Sequence, residues 1–271
     1  MAEYIDIGVN LTGSSFSDDV EDVISRAVDA GVRRMIVTGT DESNSEAALA
    51  LCERFPGTLY ATAGVHPHHA DAYTEHSEHL IRDLCRHDSV VAVGECGLDY
   101  NRNYSTPASQ RTAFESQLEL AAGTGKPVFL HQRDAHDDFI AMLRNARPKL
   151  TGAVAHCFTG TADEVVSYLD LGMYIGITGW ICDERRGLDL RHAVREIPLH
   201  RILLETDAPY LLPRDLEYKP VKSRRNEPCY LPHICTSIAH YIGIDSEELA
   251  RAALANTQRL FLLESAGLES I

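Results

Sequence analysis

The stretch VVAVGECGLDY, residues 90–100, combines the pattern of a buried strand with a carboxylate at its end. Its first residues are small and apolar at consecutive positions, which is typical of a strand that is buried on both faces. Glu95 then follows. An ionised carboxylate buried without a partner is so costly that it binds a cation or changes its protonation state. On this stretch alone, the alternative is that the strand has ended and Glu95 faces water.

Runs of the same kind recur along the whole chain. Predicted strands cover residues 4–11, 33–40, 58–66, 90–98, 127–133, 152–160, 173–180 and 201–208. Segments with helical periodicity lie between most of them. Strands that are apolar on both faces and alternate with helices indicate a parallel sheet covered on both sides. Eight such units in about 250 residues predict a closed α/β barrel, a single-domain (β/α)8 TIM barrel over residues 1–271.

Three further segments complete the predicted architecture. Residues 17–32 have one apolar stripe at helical spacing, with Ser17 as the expected N-cap and Gly31 as the stop. Residues 209–232 are rich in proline and arginine and predict a long ordered loop, and residues 245–262 predict a closing helix. An open doubly wound sheet is the alternative fold. No glycine-rich nucleotide-binding motif follows any predicted strand, so such a sheet would lack its usual signal.

Composition limits the classes of function. The chain has 271 residues, 44% hydrophobic, and a net charge of −15, which argues against non-specific adhesion to nucleic acid or acidic lipid. No apolar run approaches the roughly 20 residues of a membrane span, and the first residues lack the pattern of a secretion signal. We therefore expect a cytoplasmic protein without a membrane partner. The seven cysteines form no CxxC pair, which indicates reduced thiols.

Polar residues recur at the carboxyl ends of the predicted strands. The candidates are His66, Glu95, His131, His156 and Asp207. A single histidine at a strand end is more often structural than functional, but barrel closure would bring all five to one cavity. Imidazoles and carboxylates together suit zinc, manganese or iron, and magnesium where water completes the shell. Because no GxSxG motif or flavin or nicotinamide fingerprint is present, metal-assisted hydrolysis is the leading class.

Seven sequence blocks in this order resemble the TatD family of metal-dependent nucleases. They are DIGVNLT, GVHPH, VGECGLDY, HQRDAH, HCFTG, YIGITGW and ETDAPYLLPRDL, and they span nearly the whole chain. The resemblance implies a (β/α)8 barrel, a divalent-metal site and 3′ to 5′ exonuclease activity on single-stranded DNA and RNA. We expect Mg²⁺ as the metal, with Mn²⁺ or Zn²⁺ as alternatives.

The same resemblance assigns roles to individual residues. It implies that Glu95, His131, His156 and Asp207 are metal ligands, with Glu95 and Asp207 also counted as catalytic. It implies that His66 and Arg133 face the substrate. Many relatives also carry a His-x-His pair on the first strand, where this chain has Gly8 and Asn10.

The loss of that histidine pair predicts an unequal metal centre. Glycine offers no side-chain donor, and an amide oxygen is a weak neutral ligand. We expect the ion held by Glu95, His131 and His156 to persist. The neighbouring site near Asp207 is expected to be empty, or weak and filled mainly when substrate phosphate supplies oxygen. The alternative is that Asn10 and water restore chemistry with two metal ions.

An exonuclease must also hold a polyanion on a protein with a net negative charge. Basic residues that follow the carboxyl ends of predicted strands five, seven and eight are Arg133, Arg185, Arg186, Lys222, Arg224 and Arg225. We expect them on the active face, and take Arg133, Arg224 and Arg225 with His66 as substrate-binding residues. A solvated charge run is the alternative. Tyr210, Tyr218 and Trp180 are candidates for stacking on unpaired bases, although core packing is an equal alternative for Trp180.

Two other functions remain open at this point. One is metal-dependent hydrolysis of another substrate, such as deacylation of D-aminoacyl-tRNA. The other is a non-enzymatic scaffold, which would be expected to have lost several ligands. The arginines favour a phosphodiester substrate, because a small neutral amide would not need them. We expect single-stranded DNA or RNA as the partner and a monomer as the default state.

Overall fold

A computed structural model describes residues 2–217 and 224–263 of the chain. Eight parallel strands form one sheet in which the spatial order follows the chain. They are β1 (Tyr4–Val9), β2 (Val32–Val37), β3 (Leu59–Ala63), β4 (Val90–Asp99), β5 (Val128–Arg133), β6 (Ala153–Ala155), β7 (Tyr174–Ile177) and β8 (Ile202–Leu204).

The first and last strands meet and nearly close the sheet. Val9 forms a parallel bridge with Ala208. The Asn10 amide donates to the Ala208 carbonyl at 2.8 Å, and the Asp207 amide donates to the Gly8 carbonyl at 2.9 Å. The predicted barrel is therefore confirmed, and the alternative of an open doubly wound sheet is wrong.

Helices connect the strands and cover the outside of the barrel. They are α1 (Val20–Asp29), α2 (Glu42–Arg54), α3 (Glu75–Leu84), α4 (Pro107–Thr124), α5 (His136–Ala146), α6 (Ala162–Asp170), α7 (Leu188–Ala193), α8 (Leu231–Ile242) and α9 (Ser246–Phe261). Each buries an apolar stripe against the strands, as α1 does with Val23, Ile24 and Ala27. None of the helices in residues 2–217 and 224–263 is long and apolar enough to cross a bilayer.

Three sequence-based boundaries need correction. Helix α1 begins after Asp19 rather than Ser17, because the Ser17 hydroxyl donates to the Ser14 carbonyl in a preceding 3-10 turn. Gly31 follows the helix with a φ of 93°, as expected. The predicted loop over 209–232 gives way at Leu231 to helix α8, which sequence reasoning missed. The closing helix over 245–262 is confirmed as α9.

Several strands end earlier than the apolar runs indicate. His66 and Asp207 each lie three residues beyond the end of β3 and β8. Cys157 and Asp207 adopt left-handed backbone angles, with φ of 46° and 54°, which strand residues do not have. These residues therefore belong to the loops at the carboxyl-terminal mouth of the barrel.

Asp6 on β1 is a fully buried carboxyl group. Its Oδ1 accepts the amides of Gly8 at 3.3 Å and Thr206 at 3.0 Å, and its Oδ2 accepts the Thr206 hydroxyl. Burial raises the pKa of Asp6 to about 7, because these hydrogen bonds do not offset the loss of solvent and the charge of Glu205 adds to it. The folded protein therefore keeps this proton at a pH where the unfolded chain has lost it.

This difference predicts a pH-dependent loss of stability. The unfolded aspartate releases its proton near pH 4, so between about pH 4 and pH 7 the folded state binds more protons. The free energy of unfolding therefore falls as pH rises through this window. Asp6→Asn mimics the protonated form. Its free energy of unfolding should therefore decrease by about 2–4 kcal/mol less than that of the native protein over this pH window.

Urea unfolding of the metal-free protein at pH 5 and pH 8 measures the effect. Asp88→Asn, at an exposed position, is the matched control and should keep the native pH dependence. If Asp6→Asn and native protein lose the same unfolding free energy between these pH values, Asp6 does not retain its proton.

Candidate metal centre

A cavity of about 500 Å³ opens at the carboxyl-terminal mouth of the barrel. The structure places all five polar strand-end residues on its wall, together with Arg133. These residues are His66, Glu95, His131, His156, Asp207 and Arg133. Arg133 is exposed at the mouth, whereas Glu95 is 6% exposed and lies deep inside.

Three imidazoles converge on one oxygen of Glu95. Its Oε1 lies 2.7 Å from Nε2 of His156, 3.0 Å from Nδ1 of His131 and 3.4 Å from Nε2 of His66. Glu95 is at the inner side of β4, and the histidines come from the loop after β3, from β5 and from the end of β6. The buried carboxylate therefore has basic partners from three different parts of the barrel mouth.

This donor set fits a divalent cation. Protein ligands at about 2.0–2.2 Å from one ion lie about 3 Å from one another, and the separations around Glu95 are 2.7–3.4 Å. The ligand atoms of His66, Glu95 and His131 all lie within 4.8 Å of one another. His66, which sequence reasoning expected to face substrate, thus lies among the candidate ligands.

Two further carboxylates orient the imidazoles. Nε2 of His131 lies 3.3 Å from Oδ2 of Asp99, and Nδ1 of His156 lies 3.4 Å from Oε2 of Glu205. Each ring therefore directs one nitrogen to Glu95 and the other to a supporting carboxylate, as metal-binding histidines commonly do. Sequence reasoning missed both. For Asp99 the signal was its spacing, since it follows Glu95 by four strand positions and so shares its face.

Glu205 also occupies the space beside Gly8. A Cβ at position 8 would lie 2.8 Å from Oε2 of Glu205 and 3.2 Å from Cζ of Phe129. The amide of Cys157 donates to the same carboxylate. An imidazole at position 8 would need Glu205 to move, so the glycine on β1 and the buried glutamate fit one another.

Electrostatics around Glu95 favour a cation. Burial alone would raise the pKa of Glu95, but the charges of His156 and His66 and hydrogen bonds from His131 and His156 lower it well below its usual value. Burial disfavours protonation of His156, yet Glu95 and Glu205 raise its pKa well above the usual value. In the metal-free protein, imidazolium supplies the positive charge that Glu95 requires.

Asp207 lies on the other side of the cavity, beside Asn10. Nδ2 of Asn10 donates to Oδ1 of Asp207 at 3.1 Å and to the Ala208 carbonyl at 3.2 Å. Burial and the negative charge of Glu95 raise the pKa of Asp207 to about 7, although His156 and the Asn10 hydrogen bond oppose this. A carboxyl group with this pKa is suited to exchanging a proton near neutral pH.

The structure separates two arginines that the sequence places side by side. The Arg225 guanidinium lies 2.7 Å from Oδ2 of Asp19 and 2.8 Å from Oε1 of Glu227, and it stacks over Phe16. Its charge is neutralised within the protein, and it ties the chain after β8 to the loop after β1. These ion pairs favour a structural role for Arg225, and its contact with substrate stays a prediction.

Arg224 instead lines a second and larger space, the arginine cavity, with a volume of about 950 Å³. Its arginines are Arg185, Arg186, Arg191, Arg214 and Arg224.

Arg186 covers the Trp180 ring at 4.4 Å, so that face of the indole is already stacked. Tyr210 is 60% exposed and lines the metal cavity. Lys222 and Tyr218, also expected at the active face, lie outside the described residues.

Comparisons with known proteins agree with this geometry. A family model described as TatD related DNase matches residues 5–262. A protein of Edwardsiella piscicida named 3′-5′ ssDNA/RNA exonuclease TatD is 57% identical over 259 residues, covering 96% of this chain and 99% of that protein. The crystal structure of the TatD homologue YJJV from Escherichia coli has a TM-score of 0.86 at 31% identity, covering 96% of this chain and 98% of that one. A TatD-family hydrolase of Entamoeba histolytica has a TM-score of 0.88 at 26% identity, covering 97% and 100%.

Proposed function

Because the chain belongs to the family of TatD-related DNases, we propose that it is a metal-dependent exonuclease removing nucleotides from the 3′ ends of single-stranded DNA and RNA. The observation that carries the proposal is the convergence of His66, His131 and His156 on the buried carboxylate of Glu95. The relatives named as exonucleases support the substrate class. Every donor comes from one barrel, which supports a single catalytic domain over residues 1–271 and a monomer.

The family implies dependence on a divalent cation, for which Glu95, His131 and His156 are the proposed ligands. A cation bound there supplies positive charge to the scissile phosphate and lowers the pKa of water. The sequence predicts magnesium, whereas a set with three nearby imidazoles favours manganese or zinc. Asp99 and Glu205 hold the rings of His131 and His156 in the orientation that binding requires.

The remaining polar residues act on the substrate. Asp207 accepts the proton of the attacking water, for which its position on the cavity wall beside Asn10 is suited. Arg133 at the mouth offers charge to a phosphate, and the exposed ring of Tyr210 offers a surface for an unpaired base. A cavity of this kind admits a single strand, and opening a duplex to reach it costs stacking and pairing energy.

The test follows product length with end-labelled oligonucleotides. With a 5′ label, the proposed enzyme produces progressively shorter strands, whereas a 3′ label appears at once in mononucleotide. Single-stranded DNA and RNA should be shortened faster than blunt duplex, and a chelator should stop the reaction until Mg²⁺, Mn²⁺ or Zn²⁺ restores it. Activity that persists in chelator contradicts the proposal. Hydrolysis of D-aminoacyl-tRNA by a protein that leaves oligonucleotides intact would favour the other hydrolase.

The two adjacent arginines provide a matched pair of variants. We expect Arg224→Gln to weaken oligonucleotide binding and to reduce the salt slope by about 0.7, the value of one phosphate contact on a single strand. Arg225→Gln should leave that slope unchanged and lower the free energy of unfolding by about 1 kcal/mol, because Asp19 and Glu227 lose one of their two arginine partners and keep only Arg26.

Fluorescence anisotropy with a nuclease-resistant phosphorothioate strand, between about 50 and 200 mM salt, measures the slope. Thermal or urea unfolding measures stability. A reduced slope in Arg225→Gln, with the native slope in Arg224→Gln, would reverse the two assignments.

A further inference from the structure

A second group of side chains that can bind a metal lies at the arginine cavity, away from Glu95, with Cys182 and Asp215 on the cavity wall. Cys182 ends the 3-10 turn after β7, Asp215 lies in the segment after β8, and His233 is in the first turn of α8. Their ligand atoms all lie within 4.8 Å of one another, and Nε2 of His233 is 2.7 Å from Oδ1 of Asp215. We propose that Cys182, Asp215 and His233 bind a zinc ion, separate from the nuclease centre.

The donor types select zinc. A thiolate, an imidazole and a carboxylate are the three kinds of side chain that bind zinc in proteins, whereas magnesium takes oxygen donors. Coordinating atoms about 2.0–2.3 Å from one ion lie more than 3 Å apart, so His233 and Asp215 would separate slightly as the ion enters. Cys182 is 2% exposed, and the side chains of His233 and Asp215 are 33% and 45% exposed. The group is therefore anchored at the buried thiol and open to solvent at its other end.

The charge balance permits a cation among arginines. A thiolate and a carboxylate together neutralise Zn²⁺, so the loaded site itself carries no net charge. Two of the nearby arginines are already paired, since Arg186 and Arg214 lie 2.8 Å and 3.0 Å from Oδ2 of Asp183. Burial raises the pKa of the Cys182 thiol to about 12, and a bound dication supplies the charge that its deprotonation requires.

The ion would join three segments that form the wall of the arginine cavity. Cys182 and Asp215 both line that cavity, beside Arg185 and Arg224. Three protein ligands leave a fourth position, which water or a phosphate oxygen drawn in by the arginines fills. The site thus fixes the turn after β7 to the segment after β8 and to α8, and it holds the arginines in place for a polyanion.

Cobalt titration of the full-length, metal-stripped protein tests the site, because thiolate coordination to Co²⁺ gives an absorption band in the near ultraviolet. We expect the native protein to show this band and to lose it when Zn²⁺, but not Mg²⁺, is added. Cys182→Ser and His233→Gln should each abolish the band and bind one cobalt ion fewer. Circular dichroism establishes that each variant is folded, and His233→Gln serves if the serine variant is not.

Two control variants separate this site from the nuclease centre. Cys157→Ser removes the thiol that lines the metal cavity, and Glu95→Gln disables the nuclease centre. Both should retain the band. Absence of the band in native protein, its survival in Cys182→Ser, or its loss in Cys157→Ser or Glu95→Gln overturns the proposal. If oligonucleotides are not degraded but the band behaves as expected, the zinc site stands and the proposed nuclease function fails.

Discussion

Replacing Glu95 by glutamine is expected to lower exonuclease activity by about 1,000-fold or more, equivalent to about 4 kcal/mol of transition-state stabilisation, while the barrel stays folded. The amide has the shape of the carboxylate but no charge. Three histidines direct a ring nitrogen toward this one oxygen, so its charge is the common partner of the candidate ligands. Without it, neutral imidazoles alone hold the cation weakly.

Activity, metal content and fold are measured together for this variant. We expect Glu95→Gln to retain the native circular dichroism spectrum, to bind manganese much more weakly in calorimetry, and to leave 5′-labelled oligonucleotide intact. Glu119→Gln, on the exposed side of α4, is the control and should behave as native protein. A folded Glu95→Gln enzyme that degrades oligonucleotide at the native rate would remove Glu95 from the centre.

The barrel and its metal ligands were accessible from the sequence for one physical reason. Strands buried on both faces carry continuous apolar runs, and parallel strands with short connections stay in chain order. Their carboxyl ends then meet at one rim. The shared location of Glu95, His131 and His156 can therefore be predicted without knowledge of any side-chain contact. Strand ends were less accessible, because β6 and β8 already end at Ala155 and Leu204, before the left-handed residues Cys157 and Asp207.

Partners that are distant in the chain were not accessible in this way. Arg225 sits in a basic run that predicts a polyanion contact, yet its carboxylate partner Asp19 is 206 positions away. Glu205 is next to a run of polar residues and gives no sign that it lies under His156. The charge on a residue is visible in the sequence, whereas the group that neutralises it depends on tertiary packing.

Replacing Asp207 by asparagine is expected to lower activity while the tightly bound ion is retained, in contrast to Glu95→Gln. The tight ion at Glu95, His131 and His156 should remain, because Asp207 lies across the cavity with Asn10 as its hydrogen-bond donor. An asparagine oxygen still accepts that hydrogen bond but does not take up a proton from water. Loss of a general base lowers rates by about 100- to 10,000-fold, and we expect Asp207→Asn to fall in this range.

Manganese calorimetry distinguishes Asp207→Asn from Glu95→Gln and tests the unequal centre that Gly8 and Asn10 predict. Free native protein should bind one ion tightly at the nuclease centre, and a second, weaker event near Asp207 should appear only with a phosphorothioate oligonucleotide, whose oxygens supply the missing ligands. Cys182→Ser is used as the background, so that the proposed zinc site does not contribute to the titration. In Asp207→Asn the first event should persist and the second should vanish.

Two equally tight ions in the free protein would mean that Asn10 and water replace the histidine pair in full. Loss of the first event in Asp207→Asn would make Asp207 a ligand of the tight ion.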